Sequence, residues 1–124
     1  MRRATATLAA LGALSALAAV PATAAPAAVP ARVQVVEKEY SITLSRLRVH
    51  TGRVIVQLVN FGMDNHDLVI QSNAKKTMIW RFDPLAPEGI ATKTLAISPG
   101  RYTLSCSLPG HRALGMVATL TVTR

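Results

Sequence analysis

The feature that most constrains this chain is a period of two in its apolar residues, repeated in short runs between turn signals. Tyr40, Ile42 and Leu44 share one parity, against Ser41, Thr43 and Ser45. After a turn at Thr51-Gly52, Val54, Val56 and Leu58 alternate against Arg53 and Gln57. The stretch "NFGMDN" interrupts, and His66, Leu68 and Ile70 then alternate against Asp67 and Gln71. "IATKTLAI", a Pro99-Gly100 turn, "RYTLSC" and "MVATLTVT" follow. Side chains alternate between the faces of a strand, so strands of this length and spacing predict an all-β antiparallel sandwich or barrel. No run beyond residue 24 has a long amphipathic helical period, and residues 72–88 give no clear pattern, fitting either a short helix or a long loop.

The first thirty residues read differently. "MRR", the Ala/Leu-rich run "ATATLAALGALSALAAV" and "PATAAPAAVP" have the layout of a secretory signal peptide, with cleavage expected after Ala24. An uncleaved membrane anchor is the competing reading, on an apolar run at the short end for spanning. The expected organisation is a signal peptide over 1–24, a flexible Pro/Ala lead-in over 25–31 and one domain over 32–124. The expected location is outside the cytoplasm: periplasm, cell envelope or extracellular space.

Charge narrows the partners. The chain has 14 Lys and Arg against six Asp and Glu, and the signal removes only Arg2 and Arg3 from that excess. Export, the lack of a lysine-rich arm and few aromatics argue against nucleic acid, leaving an acidic protein or an anionic envelope as the natural counterpart. Membrane association is expected only if the signal stays uncleaved, and the domain is expected to be a monomer. Arg46, Arg48, Lys75 and Lys76 read as solvated faces.

An exported chain with one cysteine, Cys106, makes no internal disulfide, so that thiol is buried, paired elsewhere or used. Parity puts Cys106 on the face of Tyr102 and Leu104, and Met116 on the face of Ala118, Leu120 and Val122. Between them lies a Pro/Gly loop carrying His111, and His66 starts its strand on the face of Leu68 and Ile70. Four soft or borderline donors thus sit at strand ends beside turns. A thiolate, two imidazoles and a weak thioether make a blue-copper electron-transfer site, whereas zinc disfavours methionine and a dinuclear copper centre needs two cysteines. Taken singly, each residue has a plainer role: core cysteine, gap-filling methionine, solvated turn histidine. His50 reads as an exposed turn histidine, Met63 as loop packing, and Met78 and Trp80 as core or a loop lid. No nucleophile elbow or Gly-rich phosphate loop is present, so the chain is not expected to be an enzyme.

"NFGMDNHDLVI" with "PGRYTLSCSLPGHRALGMVATLTV" resembles the small cupredoxins, the family of plastocyanin, azurin and auracyanin, over roughly Val33 to Thr123. The resemblance rests on a C-x4-H-x4-M loop and an upstream N-x5-H. It implies a Greek-key β-sandwich holding one copper ion that cycles between Cu(I) and Cu(II). His66, Cys106 and His111 become the equatorial ligands and Met116 the axial one. It further implies electron shuttling between a redox donor and an acceptor. Electrons would leave at His111 through a patch formed by Leu108, Pro109, Ala113 and Leu114. Asp67 stands where the family usually has asparagine and pairs with Ser107; ionised, it would favour Cu(II). Asn65 before His66 gives no glycine carbonyl, which favours four-coordination. The alternatives are a copper-delivery module and a metal-free interaction domain.

Overall fold

The computed structural model describes residues 21–124. The signal-peptide run at 1–20 lies outside the described residues. Residues 21–30 have no regular structure, and nine strands follow: β1 (Ala31–Lys38), β2 (Ser41–Leu44), β3 (Arg48–His50), β4 (Gly52–Asn60), β5 (His66–Ser72), β6 (Thr77–Leu85), β7 (Ile90–Ile97), β8 (Gly100–Ser105) and β9 (Val117–Thr123). They form one sheet in the order β2-β1-β4-β7 and a second in the order β3-β9-β8-β5-β6. β6 leaves for β7 in the opposite sheet before β8 returns beside β5, a Greek-key path.

The alternation places the core where the sequence predicts it. Val54, Val56, Leu58, Leu68, Ile70, Leu104 and Leu120 are buried between the sheets, with Val33 and Val35 from β1. Two ladders run parallel, β1 with β4 and β3 with β9. Alternation fixes the face a side chain takes but not the direction of the neighbouring strand, so these pairings were not legible in it.

The opaque segment 72–88 holds a strand. Register shifts in the β5–β6 ladder break the period of two, and Pro84 is tolerated because β6 lies at a sheet edge. The edge also corrects the expectation for Met78 and Trp80. With a neighbour on one side only, both stay exposed, at 57% and 38%, and neither is core. Met63 is exposed too, so the expected loop packing does not bury it. His50 ends β3 in an exposed position, as expected.

On β1, one inward position breaks the apolar rule. Glu37 shares the inward parity of Val33 and Val35, is fully buried, and neither carboxylate oxygen has a hydrogen-bond partner among the described residues. Burial, reinforced by the negative charge of Asp67, raises its pKa from 4.5 to about 8. The folded chain therefore holds a proton that the unfolded chain has released between those values. Stability falls as pH rises across that window, by at most about 1.4 kcal/mol per pH unit, and levels off above about 8. Chemical denaturation at a series of pH values checks this: Glu37→Gln is expected to flatten the slope and to be the more stable form at pH 8.

Candidate metal centre

The site is built where β4 and β5 meet the loop between β8 and β9. His66 is the first residue of β5, and Cys106 directly follows β8. Both are fully buried, as inward parity at a strand end requires. The loop from Ser107 to Gly115 is wound by short backbone bonds, His111 N–H to Leu108 C=O (3.2 Å), Leu114 N–H to Gly110 C=O (3.1 Å) and Gly115 N–H to Arg112 C=O (3.1 Å). Gly110 and Gly115 take positive φ (80° and 125°), which favours glycine, and a Cβ at Gly115 would stand 2.9 Å from the Tyr40 carbonyl oxygen. This winding turns His111 back over the strand ends.

The donor atoms of His66, Cys106 and His111 all lie within 4.8 Å of one another. His66 Nδ1 is 3.2 Å from His111 Nδ1, and Cys106 Sγ is 3.5 Å from His111 Nδ1. Three donors bound to one ion at about 2.0–2.3 Å would be separated by comparable distances, so the set fits a single ion. Met116, the fourth residue expected from the sequence, is fully buried, and its backbone ties it to both loop ligands: Cys106 N–H donates to Met116 C=O (3.2 Å) and Met116 N–H to His111 C=O (3.1 Å).

Burial pushes the Cys106 thiol above its ordinary pKa, and the backbone amides of Asp67 and Leu108, directed at the sulfur, oppose that rise. A cation entering the site would displace the thiol proton. Asp67 fastens the two loops together: Ser107 N–H donates to Oδ1 (2.6 Å), and Ser107 Oγ–H and Arg81 Nη2 donate to Oδ2 (2.5 and 2.9 Å). Arg81 was not anticipated from the sequence. Its guanidinium offsets the carboxylate, so Asp67 acts on the cluster as half of an ion pair.

The sequence reading also missed Glu39. Its Oε1 sits 2.8 Å from His66 Nε2, and the carboxylate accepts the N–H groups of Met63 (2.8 and 3.0 Å to its two oxygens) and Asp64 (2.7 Å). The Asp64 and Met63 amides foremost, with smaller help from its own backbone and from the His66 bond, lower its pKa to about 2. An ionised carboxylate only accepts, so His66 carries its proton on Nε2 and turns the Nδ1 lone pair toward Cys106 and His111. Gly62 leaves room for this contact: a Cβ there would lie 2.8 Å from His66 Nε2. Asn60, the asparagine of N-x5-H, holds the same loop by accepting from Gly62 N–H (2.8 Å) and donating to the Asp64 and Leu85 carbonyls (2.8 and 2.9 Å). No residue spacing announces Glu39; the one available signal was a carboxylate at the end of β1, facing the "NFGMDN" loop.

Tyr40 packs edge-on against His111, with ring centroids 5.2 Å apart. In the loop that carries this histidine, Pro109, Ala113 and Leu114 are exposed and Leu108 is half-buried.

No protein-family model and no curated relative matches this sequence. Solved structures with the same architecture do. A dithionite-reduced auracyanin of Roseiflexus castenholzii aligns at TM-score 0.64 and 22% identity, over 78% of this chain and all of that one. Auracyanin A, a blue copper protein of Chloroflexus aurantiacus, aligns at 0.60 and 14%, over 77% and 100%. A multicopper oxidase aligns at 0.56 and 13% over 75% of this chain, but this chain spans only 44% of that protein. Identities this low speak to architecture alone, and the architecture they share with this chain is the cupredoxin-like β-sandwich.

Proposed function

We propose that this chain is an exported mononuclear type 1 copper protein that passes single electrons between redox partners outside the cytoplasm. The observation that carries the reading is the convergence of one cysteine sulfur and a ring nitrogen from each of two histidines within 4.8 Å, with His66 and Cys106 buried at strand ends. His66, Cys106 and His111 would hold the ion, with the Met116 thioether as the weak fourth donor. Copper supplies a one-electron couple to such a set, since thiolate and thioether suit Cu(I) while imidazole also accepts Cu(II). Four protein donors leave no position for a substrate, which favours a carrier over an enzyme. The multicopper oxidase likeness covers a minority of that longer protein and brings no catalytic activity here.

The protein's own part is to keep the donors fixed while charge changes. Asp67 and Ser107 clamp the cysteine loop, and Glu39 and Asn60 clamp the loop before His66. His111, half-buried against Tyr40 in a loop that exposes Pro109, Ala113 and Leu114, is the natural point of electron exit.

Voltammetry of the copper-loaded chain tests the carrier role. A stable, reversible one-electron wave is expected; a wave that decays as copper leaves would instead favour delivery of the metal. Asp67→Asn removes a negative charge beside the cysteine and leaves Arg81 uncompensated. Its wave is expected at a potential higher by tens of millivolts, because both changes disfavour Cu(II).

A further inference from the structure

The charged side chains are sorted along the length of the sandwich. β1, β4, β6 and β8 run toward the metal end, and β5, β7 and β9 run away from it, as their registers show. All six acidic residues fall in the metal half. Glu37 and Glu39 end β1 or follow it, Asp64 and Asp67 flank His66, Asp83 lies beside Phe82 near the top of β6, and Glu88 donates its N–H to Asn60 C=O.

The opposite end has no acidic side chain and gathers exposed cations from strand ends and turns: Arg48, Arg53 and Arg101 near the starts of β3, β4 and β8, Lys75 and Lys76 in the turn between β5 and β6, and Arg124 after β9. The backbone brings these segments together. Thr51 N–H donates to Thr123 C=O (2.7 Å), Thr51 Oγ–H to Ile97 C=O (2.9 Å) and Asn73 N–H to Arg101 C=O (3.0 Å). None of the six cations has a carboxylate within 4 Å among the described residues; the Arg and Lys pairing there is confined to Arg81 with Asp67.

We infer that this basic pole is a docking surface for anionic phospholipid headgroups, holding the domain with its metal end facing away from the bilayer. Two observations favour a lipid surface over an acidic protein. First, the pole is broad and of one sign, spread over several turns, with no aromatic anchor of the kind that concentrates binding energy in protein interfaces. Second, the chain enters the domain here. β1 starts at Ala31 beside Val54 at the base of β4, so only about ten residues separate this pole from the apolar run in the sequence before residue 21. Such a segment reaches at most about 35 Å when extended. Each Lys or Arg held near an anionic surface adds attraction that salt screens over about a nanometre. The charge contact itself needs neither the apolar run nor copper, and retention of the run would add to it at the same end of the domain.

The test is co-sedimentation of the full chain with two kinds of vesicle, phosphatidylcholine alone and phosphatidylcholine with about a third phosphatidylglycerol. The leader, with Arg2 and Arg3, adds the same contribution to wild type and to each variant, so the loss caused by the substitutions reads the pole. Low-salt binding to the mixed vesicles is expected to exceed binding to the neutral ones by about a hundredfold or more, and to fall toward the neutral value in high salt. A chain carrying Lys75→Gln, Lys76→Gln and Arg101→Gln is expected to lose about a hundredfold of that preference. These positions are exposed, and thermal melts would match wild type. A chain carrying Lys38→Gln and Arg112→Gln at the metal end is expected to keep nearly all of it. Equal binding to the two kinds of vesicle would overturn the inference, as would equal losses in the two variants.

Discussion

Replacing Cys106 with serine is expected to abolish the visible copper–thiolate absorption and to weaken copper binding by more than the roughly hundredfold that contacts behind the ligands command. The oxygen is harder than sulfur, and the soft donor is what lets one geometry serve Cu(I) as well as Cu(II). The fold should tolerate the change. Cys106 sits at the end of β8 with its N–H on Met116 C=O, a backbone bond that serine keeps, and the amides of Asp67 and Leu108 can donate to a hydroxyl as they do to a thiol. Melting of the metal-free proteins should therefore differ little while chelator competition separates them widely. A serine variant that keeps the absorption would place the chromophore elsewhere.

Glu39 gives the second large effect, and a less obvious one, because it would touch no metal. Glu39→Gln keeps the shape and removes the charge behind His66; Glu39→Ala also strands the amides of Met63 and Asp64 and the Nε2–H of His66. Outer partners of ligating histidines typically govern 10–100-fold in metal affinity. The glutamine variant is expected to lose about tenfold in Cu(II) affinity and less in Cu(I) affinity, because the carboxylate raises the basicity of the imidazole. If the whole tenfold falls on Cu(II), the potential rises by about 59 mV. The alanine variant should lose more. Nitrogen NMR of the metal-free chain offers an independent reading: His66 is expected as the Nε2–H tautomer in wild type and as a tautomer mixture in the alanine variant. Unchanged potential and unchanged tautomer in both variants would remove Glu39 from the account.

Much of this was legible because two facts suffice to aim a side chain at a strand end: parity and the position of the turn. They turned His66, Cys106 and Met116 inward and placed His111 in the connecting loop, and the structure brings the three His and Cys donors together. What parity cannot carry is anything that depends on which strands become neighbours. β1 pairs parallel with β4 and delivers Glu39 to the loop before His66, across 27 residues of sequence. Arg81 reaches Asp67 only because β6 pairs with β5, and the register shifts in that ladder are what made residues 72–88 unreadable. Glu37 has the same lesson in reverse. Its inward parity was available, but a charged residue in a short alternating run reads as the solvent face until the sheet above it is known. The sorting of charge to the two ends was likewise invisible along the chain, since acidic and basic residues are interleaved in sequence and separate only once the strands are stacked.

The central claim is that one copper ion is held by the Cys106 thiolate between His66 and His111. Titrating the metal-free chain with Cu(II) while recording the visible spectrum tests it most directly. An intense charge-transfer band that grows linearly and stops at one equivalent is the expected result. A chain that stays colourless, or that binds copper without that band, would contradict it.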